Sequence, residues 1–237
     1  MPDRLAQRIA ELDWDALQHM LDAQGYALVP GLLDPEQCGE IIRTYGEGAL
    51  FRSTIDMARY RFGIGEYKYY QAPLPDMVQQ LREALYPGLA RTANRWLKQL
   101  GHDAVYPDSL QPFLAQCREQ GQLRPTPLIL KYEAGGYNCL HQDLYGDVYF
   151  PFQAVFALNR AGTDYDGGQF LLVEQRPRMQ SRGHAIPLEQ GAMLLFPTNH
   201  RPVPGSRGYY KATLRHGVST VASGTRYSLG IIFHDAK

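Results

Sequence analysis

Two histidines and one aspartate in the second half of the chain have the types and the spacing of a metal site. His141 and Asp143 are separated by one residue, and His216 lies in a second strand-like stretch, 210–219. Residues i and i+2 of a β-strand point to the same side, so a strand would direct His141 and Asp143 towards one ion. Two imidazoles and one carboxylate on one face leave coordination positions open, which is typical of non-haem Fe(II) oxygenases. The sequence therefore predicts an iron site at His141, Asp143 and His216.

An arginine follows the last of these residues at a spacing that indicates a carboxylate-binding site. Arg226 lies ten residues after His216 and begins the strand-like stretch 226–233. A guanidinium binds a carboxylate through two parallel hydrogen bonds and holds it more rigidly than a lysine does. Arg226 is therefore predicted to bind the distal carboxylate of 2-oxoglutarate, with O₂ as the second cosubstrate. His184 and His200 are the alternative histidine ligands, but neither has a matching arginine.

The elements that must position these residues change in character near residue 121. Before it, apolar spacing and capping residues predict helices over 3–24, 38–45, 75–100 and 108–119, with a short strand at 26–30. An interruption of the third helix is predicted at Pro87 and Gly88. After residue 121, strand-like stretches cover 126–132, 149–158, 168–174, 191–196, 209–221 and 225–233. Strands at this spacing are typical of a β-sandwich or barrel.

Composition and charge exclude several classes of protein. The 237 residues include 24 basic and 24 acidic side chains, which argues against a protein that binds polyanions through its overall charge. The three cysteines, Cys38, Cys117 and Cys139, are too widely spaced for a zinc knuckle or a disulfide framework. The N-terminal stretch is amphipathic and charged, and no apolar run approaches the roughly 20 residues of a membrane span. A cytoplasmic protein with no membrane partner is expected.

Several motifs resemble the Fe(II)/2-oxoglutarate-dependent dioxygenase superfamily. They are the stretches 132–143, 167–171, 191–196, 215–217 and 226–229. The stretch 25–36 also resembles the strand and helix that begin this fold in prolyl-hydroxylase-like members. The resemblance implies an α+β chain in which a mainly helical N-terminal half packs on a double-stranded β-helix, or jelly roll.

The resemblance also implies that the two halves of the chain have different roles. It implies a single dioxygenase domain over 1–237, in which 1–120 supplies support and a substrate lid and 121–237 forms the catalytic core. A tyrosine near the HxD motif is expected to form a hydrogen bond with the cosubstrate. Tyr132 and Tyr137 are both candidates for that role.

Two details are similar to proteins that act on nucleic acids. The spacing from Tyr132 to His141 and the stretch 226–229 are similar to AlkB-type repair demethylases, and the layout resembles a bacterial oxygenase family proposed to act on alkylated DNA. The resemblance implies hydroxylation of an N-methyl group, which then leaves the base as formaldehyde. One departure is that the AlkB-type pattern has a second arginine six residues after the first, where this chain has Ile232.

The segment 51–70 is the second feature that favours a nucleic acid, possessing both cations and aromatic rings. Cations bind phosphates and rings stack on unpaired or flipped bases. The candidate substrate-binding residues are Arg52, Arg59, Tyr60, Arg61, Tyr67 and Lys68. The alternative is a lid or an edge hairpin that packs its rings on the core, and Asp56 and Glu66 dilute the positive charge.

Two other functions fit parts of the sequence. The prolyl-hydroxylase-like N-terminal stretch and the neutral net charge favour a hydroxylase of a protein side chain or a small molecule. A jelly-roll binding module without catalytic activity, such as a cupin, would make the iron site incidental. Alkylated single-stranded DNA, a peptide and a small molecule are thus the substrates to compare.

Overall fold

Most helices lie in the first half of the chain and most strands in the second half. The computed structural model describes residues 2–237, with side chains from Leu5 onwards. Within this range the helices are α1 (Pro2–Ala10), α2 (Trp14–Gln24), α3 (Pro35–Thr44), α4 (Met57–Tyr60), α5 (Asp76–Gln99) and α6 (Leu110–Glu119). The strands are β1 (Ala27–Val29), β2 (Phe51–Asp56), β3 (Gly63–Ile64), β4 (Glu66–Tyr70), β5 (Leu128–Glu133), β6 (Tyr137–His141), β7 (Phe152–Ala157), β8 (Tyr165–Gly167), β9 (Phe170–Gln175), β10 (Arg182–Ile186), β11 (Met193–Pro197), β12 (His200–Gly205), β13 (Gly208–Val218) and β14 (Val221–Ile232).

The first predicted helix is in fact two helices. The prediction of one helix over 3–24 is wrong because the chain turns between α1 and α2, where the side chain of Asp13 accepts a hydrogen bond from the backbone N–H of Ala16 at 2.9 Å. Such a cap satisfies a backbone donor that has no partner within the helix and so favours a new helix start. Gly25 ends α2 in the left-handed conformation, with φ 82°, which glycine adopts without steric cost.

The helix α5 continues through Pro87 and Gly88, so the predicted interruption is wrong. A proline inside a helix costs roughly 3 kcal/mol, because one backbone hydrogen bond is lost and the ring clashes with the preceding turn. Close packing on α5 opposes this cost. A Cβ atom on Gly88 would lie 2.3 Å from the ring of Trp14, so only glycine lets α2 approach the backbone of α5 this closely.

The strands form two antiparallel sheets. The larger sheet has the order β1-β11-β7-β14-β5-β4-β2, with β8 paired to β14. The smaller sheet has the order β10-β9-β13-β6-β3, with β12 paired to β13. The chain crosses several times between the two sheets, for example from β5 to β6, from β6 to β7 and from β13 to β14, and these crossings bring distant motifs together.

The central strand β7 shows how the core is divided. Phe152, Ala154 and Phe156 point to one face of the larger sheet and join the core formed with the helices. Val155 and Ala157 point to the other face and pack against residues of the smaller sheet. All six residues of β7 are buried, as expected for a strand covered on both faces. Burial of each phenylalanine contributes about 1.5–3 kcal/mol.

The first half of the chain also contributes strands to both sheets. The segment 51–70 contains β2 and β4, which pair with each other, while β4 pairs with β5 and leaves β2 at the sheet edge. The short strand β3 pairs with β6 in the smaller sheet. Residues before 121 therefore extend both sheets, and β3 lies next to β6, the strand that carries His141.

Candidate metal centre and its cavity

The two histidines of the predicted triad lie opposite each other on neighbouring strands. His141 at the end of β6 pairs with His216 of β13, and their ring centroids are 4.3 Å apart. Asp143 lies between them, with 3.5 Å from its Oδ1 to His141 Nε2 and 3.2 Å from its Oδ2 to His216 Nε2. One ligand atom from each side chain lies within 4.8 Å of the others, so the three can hold a single ion.

The aspartate reaches this position from a loop. β6 ends at His141, so strand alternation does not explain why Asp143 faces the same point. The side chain of Gln142 instead donates hydrogen bonds to the backbone oxygens of Asn199 at 3.0 Å and Leu214 at 2.8 Å. These two contacts hold Gln142 against β13 and against Asn199, the residue before β12. They direct Asp143 towards the two histidines.

The electrostatics of the site favour the forms that bind a metal. Burial tends to raise the pKa of Asp143, but a hydrogen bond from His216 and the charges of both histidines outweigh it and hold the pKa below its usual value. Burial lowers the pKa of His216, and His141 lowers it further. Nδ1 of His141 lies 2.8 Å from the carbonyl oxygen of Cys139, which can only accept, so Nε2 is left for a metal. An ionised carboxylate and neutral imidazoles are the ligand forms required.

The triad lines a cavity of about 380 Å³ between the two sheets. Strand alternation on β14 places Arg226 and Ser228 on the cavity side, whereas Leu229 and Ile231 join the core beneath the helices. Arg226 therefore lines the same cavity as His141, Asp143 and His216.

Arg226 is nearly inaccessible to solvent, and not all of its hydrogen-bond donors have a partner. Its side chain is 1% exposed, and its Nη1 donates to the hydroxyl of Ser228 at 3.1 Å. Its Nε and the hydroxyl of Tyr132 have no hydrogen-bond partner within residues 5–237. Unpaired buried donors cost about 1–3 kcal/mol each, so this end of the cavity suits an acceptor-rich anion. The donor set fits the distal carboxylate of 2-oxoglutarate, and the triad fits Fe(II).

The two candidate tyrosines lie in different environments. Tyr132 of β5 is fully buried and pairs directly across the sheet with Arg226, whose guanidinium carbon is 5.6 Å from the tyrosine ring centroid. Tyr137 at the start of β6 is 36% exposed and does not line the cavity. Of the two, Tyr132 has the position required to contact a ligand of Arg226.

Only part of the segment 51–70 reaches the cavity. Of the six candidate substrate-binding residues, Arg61 and Tyr67 line it. Arg59 and Tyr60 are exposed on the outside of α4. The two others contact protein groups: Arg52 donates to the backbone oxygen of Pro125, and Lys68 donates to that of Tyr45.

Several cavity residues were not anticipated. Ser228 lies two residues after Arg226 on the same strand, so strand alternation would have found it. Tyr69 and Tyr145 also line the cavity, and Tyr145 donates a hydrogen bond to Asp143. Burial raises the pKa of Tyr145, as does the neighbouring Asp143, so the hydroxyl keeps its proton. Gln153 is 4% exposed and its Nε2 has no partner within the described side chains. No local pattern in the sequence indicates that Tyr69, Tyr145 and Gln153 line the cavity.

The alternative histidines lie away from the triad. His184 is on β10, where its ring contacts Tyr26 at a centroid distance of 5.4 Å. His200 begins β12 and is partly buried. Neither lines the cavity, and within the described residues the cluster that could hold a metal ion is His141, Asp143 and His216.

The length and composition of the helices bear on whether the chain could cross a membrane. Within residues 2–237, no helix combines the length and the apolar character that crossing a bilayer requires.

Residues 65–236 match a protein family described as an oxygenase catalysing oxidative methylation of damaged DNA. The chain belongs to this oxygenase family. The match includes the three triad residues and Arg226, and of the residues that line the cavity it leaves out Arg61 and Phe62. The predicted oxygenase class and the resemblance on which it was based are thereby confirmed.

A bacterial relative and several solved structures are similar to this oxygenase. An uncharacterised protein of Mycobacterium tuberculosis strain H37Rv is 52% identical over 167 residues, which cover 70% of this chain and 72% of the relative. A prolyl-4-hydroxylase of Pseudomonas putida has a TM-score of 0.56 and 16% identity, with 94% of this chain and 99% of that chain covered. A prolyl hydroxylase of Trichoplax adhaerens, in complex with a peptide of a hypoxia-inducible factor, has a TM-score of 0.62 and 16% identity, with 98% and 92% covered. An oxidoreductase of the 2OG-Fe(II) oxygenase family from Burkholderia pseudomallei has a TM-score of 0.58 and 15% identity, with 95% and 94% covered.

At such low identity the solved structures show a shared fold. The predicted α+β class with a double-stranded β-helix is confirmed by this likeness and by the two antiparallel sheets.

Proposed function

We propose that this oxygenase couples the oxidative decarboxylation of 2-oxoglutarate to hydroxylation of a substrate. His141, Asp143 and His216 hold Fe(II), and Arg226 with Tyr132 binds the distal carboxylate of 2-oxoglutarate. The observation that carries the proposal is that the triad and the incompletely satisfied Arg226 line one cavity. The chain acts as one domain, in which 121–237 forms the catalytic core and 1–120 supplies support and a substrate lid.

The chain's own groups bind, orient and shield the reactants. When bound, iron and 2-oxoglutarate supply the oxidant: one atom of O₂ enters succinate as CO₂ leaves, and the other becomes the substrate hydroxyl. Phe170 and Phe196 pack against the ring of His216, at centroid distances of 5.8 and 4.7 Å, and keep water from that side of the site. Arg226 fixes the far end of the cosubstrate, so its reactive end faces the triad.

An alkylated base in single-stranded DNA is the substrate that the cavity mouth supports best. Tyr60 and Phe62 stack on each other with ring centroids 5.6 Å apart and are 50% and 46% exposed. Leu140 is 43% exposed, and Arg59 and Arg61 flank the rings. An exposed apolar patch beside a cavity marks a binding surface, and rings with adjacent cations suit stacked bases and phosphates. The description of the family as acting on damaged DNA supports the same class of substrate.

The test is stoichiometric product formation from a defined oligonucleotide. The protein is incubated with Fe(II), ascorbate, 2-oxoglutarate and a single-stranded oligonucleotide that carries N-methylated bases. We expect succinate and formaldehyde in equal amounts, and neither product above background with the unmethylated oligonucleotide. The His216→Ala variant removes one ligand and is expected to form neither product while keeping its thermal unfolding midpoint.

Two outcomes would contradict parts of the proposal. Succinate formation stimulated by proline-containing peptides or small molecules, but by no methylated oligonucleotide, would replace the nucleic-acid substrate with the hydroxylase alternative. Turnover of 2-oxoglutarate that survives in His216→Ala would refute the assignment of the metal centre itself.

A further inference from the structure

The carboxylate of Asp143 has a hydrogen-bond donor that belongs to neither histidine. The hydroxyl of Tyr145 donates to Oδ1 of Asp143, two residues earlier in the same loop. The hydroxyl of Tyr69 in turn donates to that of Tyr145 at 3.1 Å. All three side chains line the cavity, so a row of hydroxyl groups runs from β4 to the triad.

The outer end of this row is held in place by the protein. The ring of Tyr69 lies under the guanidinium of Arg52, which is 4.4 Å from the ring centroid. The Nε of Arg52 also donates to the backbone oxygen of Pro125 at 2.9 Å. Because its ring and its hydroxyl both have partners, Tyr69 can hold Tyr145 in one orientation.

The other neighbours of Tyr145 are mostly apolar, with the ring of His234 at a centroid distance of 6.0 Å. Tyr69, Leu128 and Ile232 form one buried cluster against which Tyr145 packs. Ile232 occupies the position where the AlkB-type pattern has its second arginine. An isoleucine cannot donate a hydrogen bond to the carboxylate, whereas the hydroxyl of Tyr145 does.

The contact fixes the orientation of the Asp143 carboxylate between the two histidines. With Oδ1 held by Tyr145 and facing His141 Nε2 at 3.5 Å, Oδ2 lies 3.2 Å from His216 Nε2. A carboxylate that is free to rotate would offer either oxygen and would lose this alignment with the two imidazoles. Hydrogen bonds to metal ligands of this kind change metal affinity by about 10- to 100-fold.

We infer that Tyr145 is a positioning residue for the metal centre and that Tyr69 supports it. Tyr145 acts through Asp143 and touches neither substrate nor cosubstrate in this role. The inference rests on the proposed assignment of His141, Asp143 and His216 as metal ligands.

The experiment measures metal binding by the protein without turnover. The metal-free protein is titrated with Co(II), and the visible d–d absorption gives both the Kd and a signature of the ligand geometry. The variants are Tyr145→Phe and Tyr69→Phe, each of which removes one hydroxyl. Tyr70→Phe is the matched control, because Tyr70 follows Tyr69 on β4 but faces the helices, where its hydroxyl contacts that of Thr44 at 2.7 Å.

For Tyr145→Phe we expect the Kd for Co(II) to rise about 10- to 100-fold, with a changed absorption spectrum. Tyr69→Phe should raise the Kd less, and Tyr70→Phe should keep the wild-type Kd and spectrum, although its thermal unfolding midpoint falls. A folded Tyr145→Phe with wild-type Kd and spectrum would overturn the inference. If Tyr145→Phe does not fold, the result for Tyr69→Phe decides. A Kd for Co(II) of Tyr69→Phe equal to that of Tyr70→Phe overturns the inference, and a higher Kd supports it.

The failure of the inference is distinct from failure of the proposed function. His216→Ala should abolish the Co(II) spectrum. If it binds Co(II) like the wild type, the metal centre is wrongly assigned and the proposed function fails with it. If it does not bind Co(II), while Tyr145→Phe binds as the wild type does, only the role of Tyr145 is refuted.

Discussion

The two ends of the cavity are built in opposite ways. At the deep end, Arg226 and Tyr132 are 1% and 0% exposed and pair directly across β14 and β5, which lie inside the larger sheet. At the mouth, Phe62 and Leu140 are 46% and 43% exposed and lie beside β3, a strand of two residues at the edge of the smaller sheet. The deep end therefore has fixed geometry, whereas the mouth is formed by short edge elements. A fixed cosubstrate site with an adaptable substrate surface allows one chemistry to serve different substrates.

The strongest test of this contrast is to remove the guanidinium at the deep end. Arg226→Met is expected to raise the KM for 2-oxoglutarate on the order of 100-fold, because two charge-assisted hydrogen bonds are lost. Steady-state kinetics measure this change, and Arg226→Lys should be intermediate. The affinity for a methylated oligonucleotide should not change. Chemical denaturation adds a second check, because loss of a buried, incompletely paired guanidinium should not lower the stability of the ligand-free protein. A normal KM for 2-oxoglutarate in Arg226→Met would contradict the assignment of the deep end.

A substitution at the mouth should have the reverse pattern. Phe62→Ala is expected to weaken the binding of a single-stranded oligonucleotide about tenfold, since stacking of one base contributes roughly 1–3 kcal/mol. Fluorescence anisotropy measures the Kd, and the KM for 2-oxoglutarate should stay unchanged. Met179→Ala is the control, because Met179 is 59% exposed but does not line the cavity. Equal losses in both variants would show that the mouth has no special role in binding.

The contrast between the two ends also requires that the sheets stay intact over the pH range of the assays. Burial, together with a smaller effect of the nearby charge of Lys211, lowers the pKa of His200 to about 4. The folded protein therefore binds the proton less readily than the unfolded chain, so His200 favours folding above about pH 6.5 and this contribution is lost as pH falls towards 4. The loss should be on the order of 1 kcal/mol, because solvent screens a partly exposed ring. Between pH 7.5 and pH 4, the free energy of unfolding measured in urea should fall less steeply for His200→Gln than for the wild type. Equal slopes would contradict the lowered pKa of His200.

The smallest expected effect concerns the charge at the mouth. If Arg59 binds one phosphate, Arg59→Ala should reduce the slope of log K against log salt for single-stranded DNA by about 0.7. The measurement is oligonucleotide affinity over a range of salt concentrations. Arg207→Ala, in an exposed turn between β12 and β13, should leave the slope unchanged. An unchanged slope for Arg59→Ala would leave the stacked rings as the binding element of the mouth.

Local rules were sufficient for the residues that lie on regular elements. Gly25 ends α2 in the left-handed conformation, and Asp34 caps the start of α3 through a hydrogen bond from the backbone N–H of Gln37, as local helix rules require. The grouping of His141, Asp143 and His216 was predicted from residue type and spacing, because a distant strand that returns beside the first brings such motifs together, as β13 does beside β6. Arg226 faces the same cavity because side chains alternate between the two faces of β14.

Local rules failed where packing between distant segments decides. The helix α5 continues through Pro87 because its neighbours cover it, and Trp14 is placed on Gly88 only in the folded protein. Sequence spacing did not distinguish Tyr132 from Tyr137, since both lie close to the HxD motif. Only the pairing of β5 with β14 places Tyr132 next to Arg226.

The amino-acid sequence by itself determined the chemistry: a triad and an arginine at spacings that antiparallel strands can unite. The tertiary structure alone decided how the site is held. Asp143 and Tyr145 lie in a loop, where side-chain direction has no period, so their contact depends on Gln142, Tyr69 and the register of the strands around them. Such contacts join residues far apart in the chain, and only the folded backbone sets their distances.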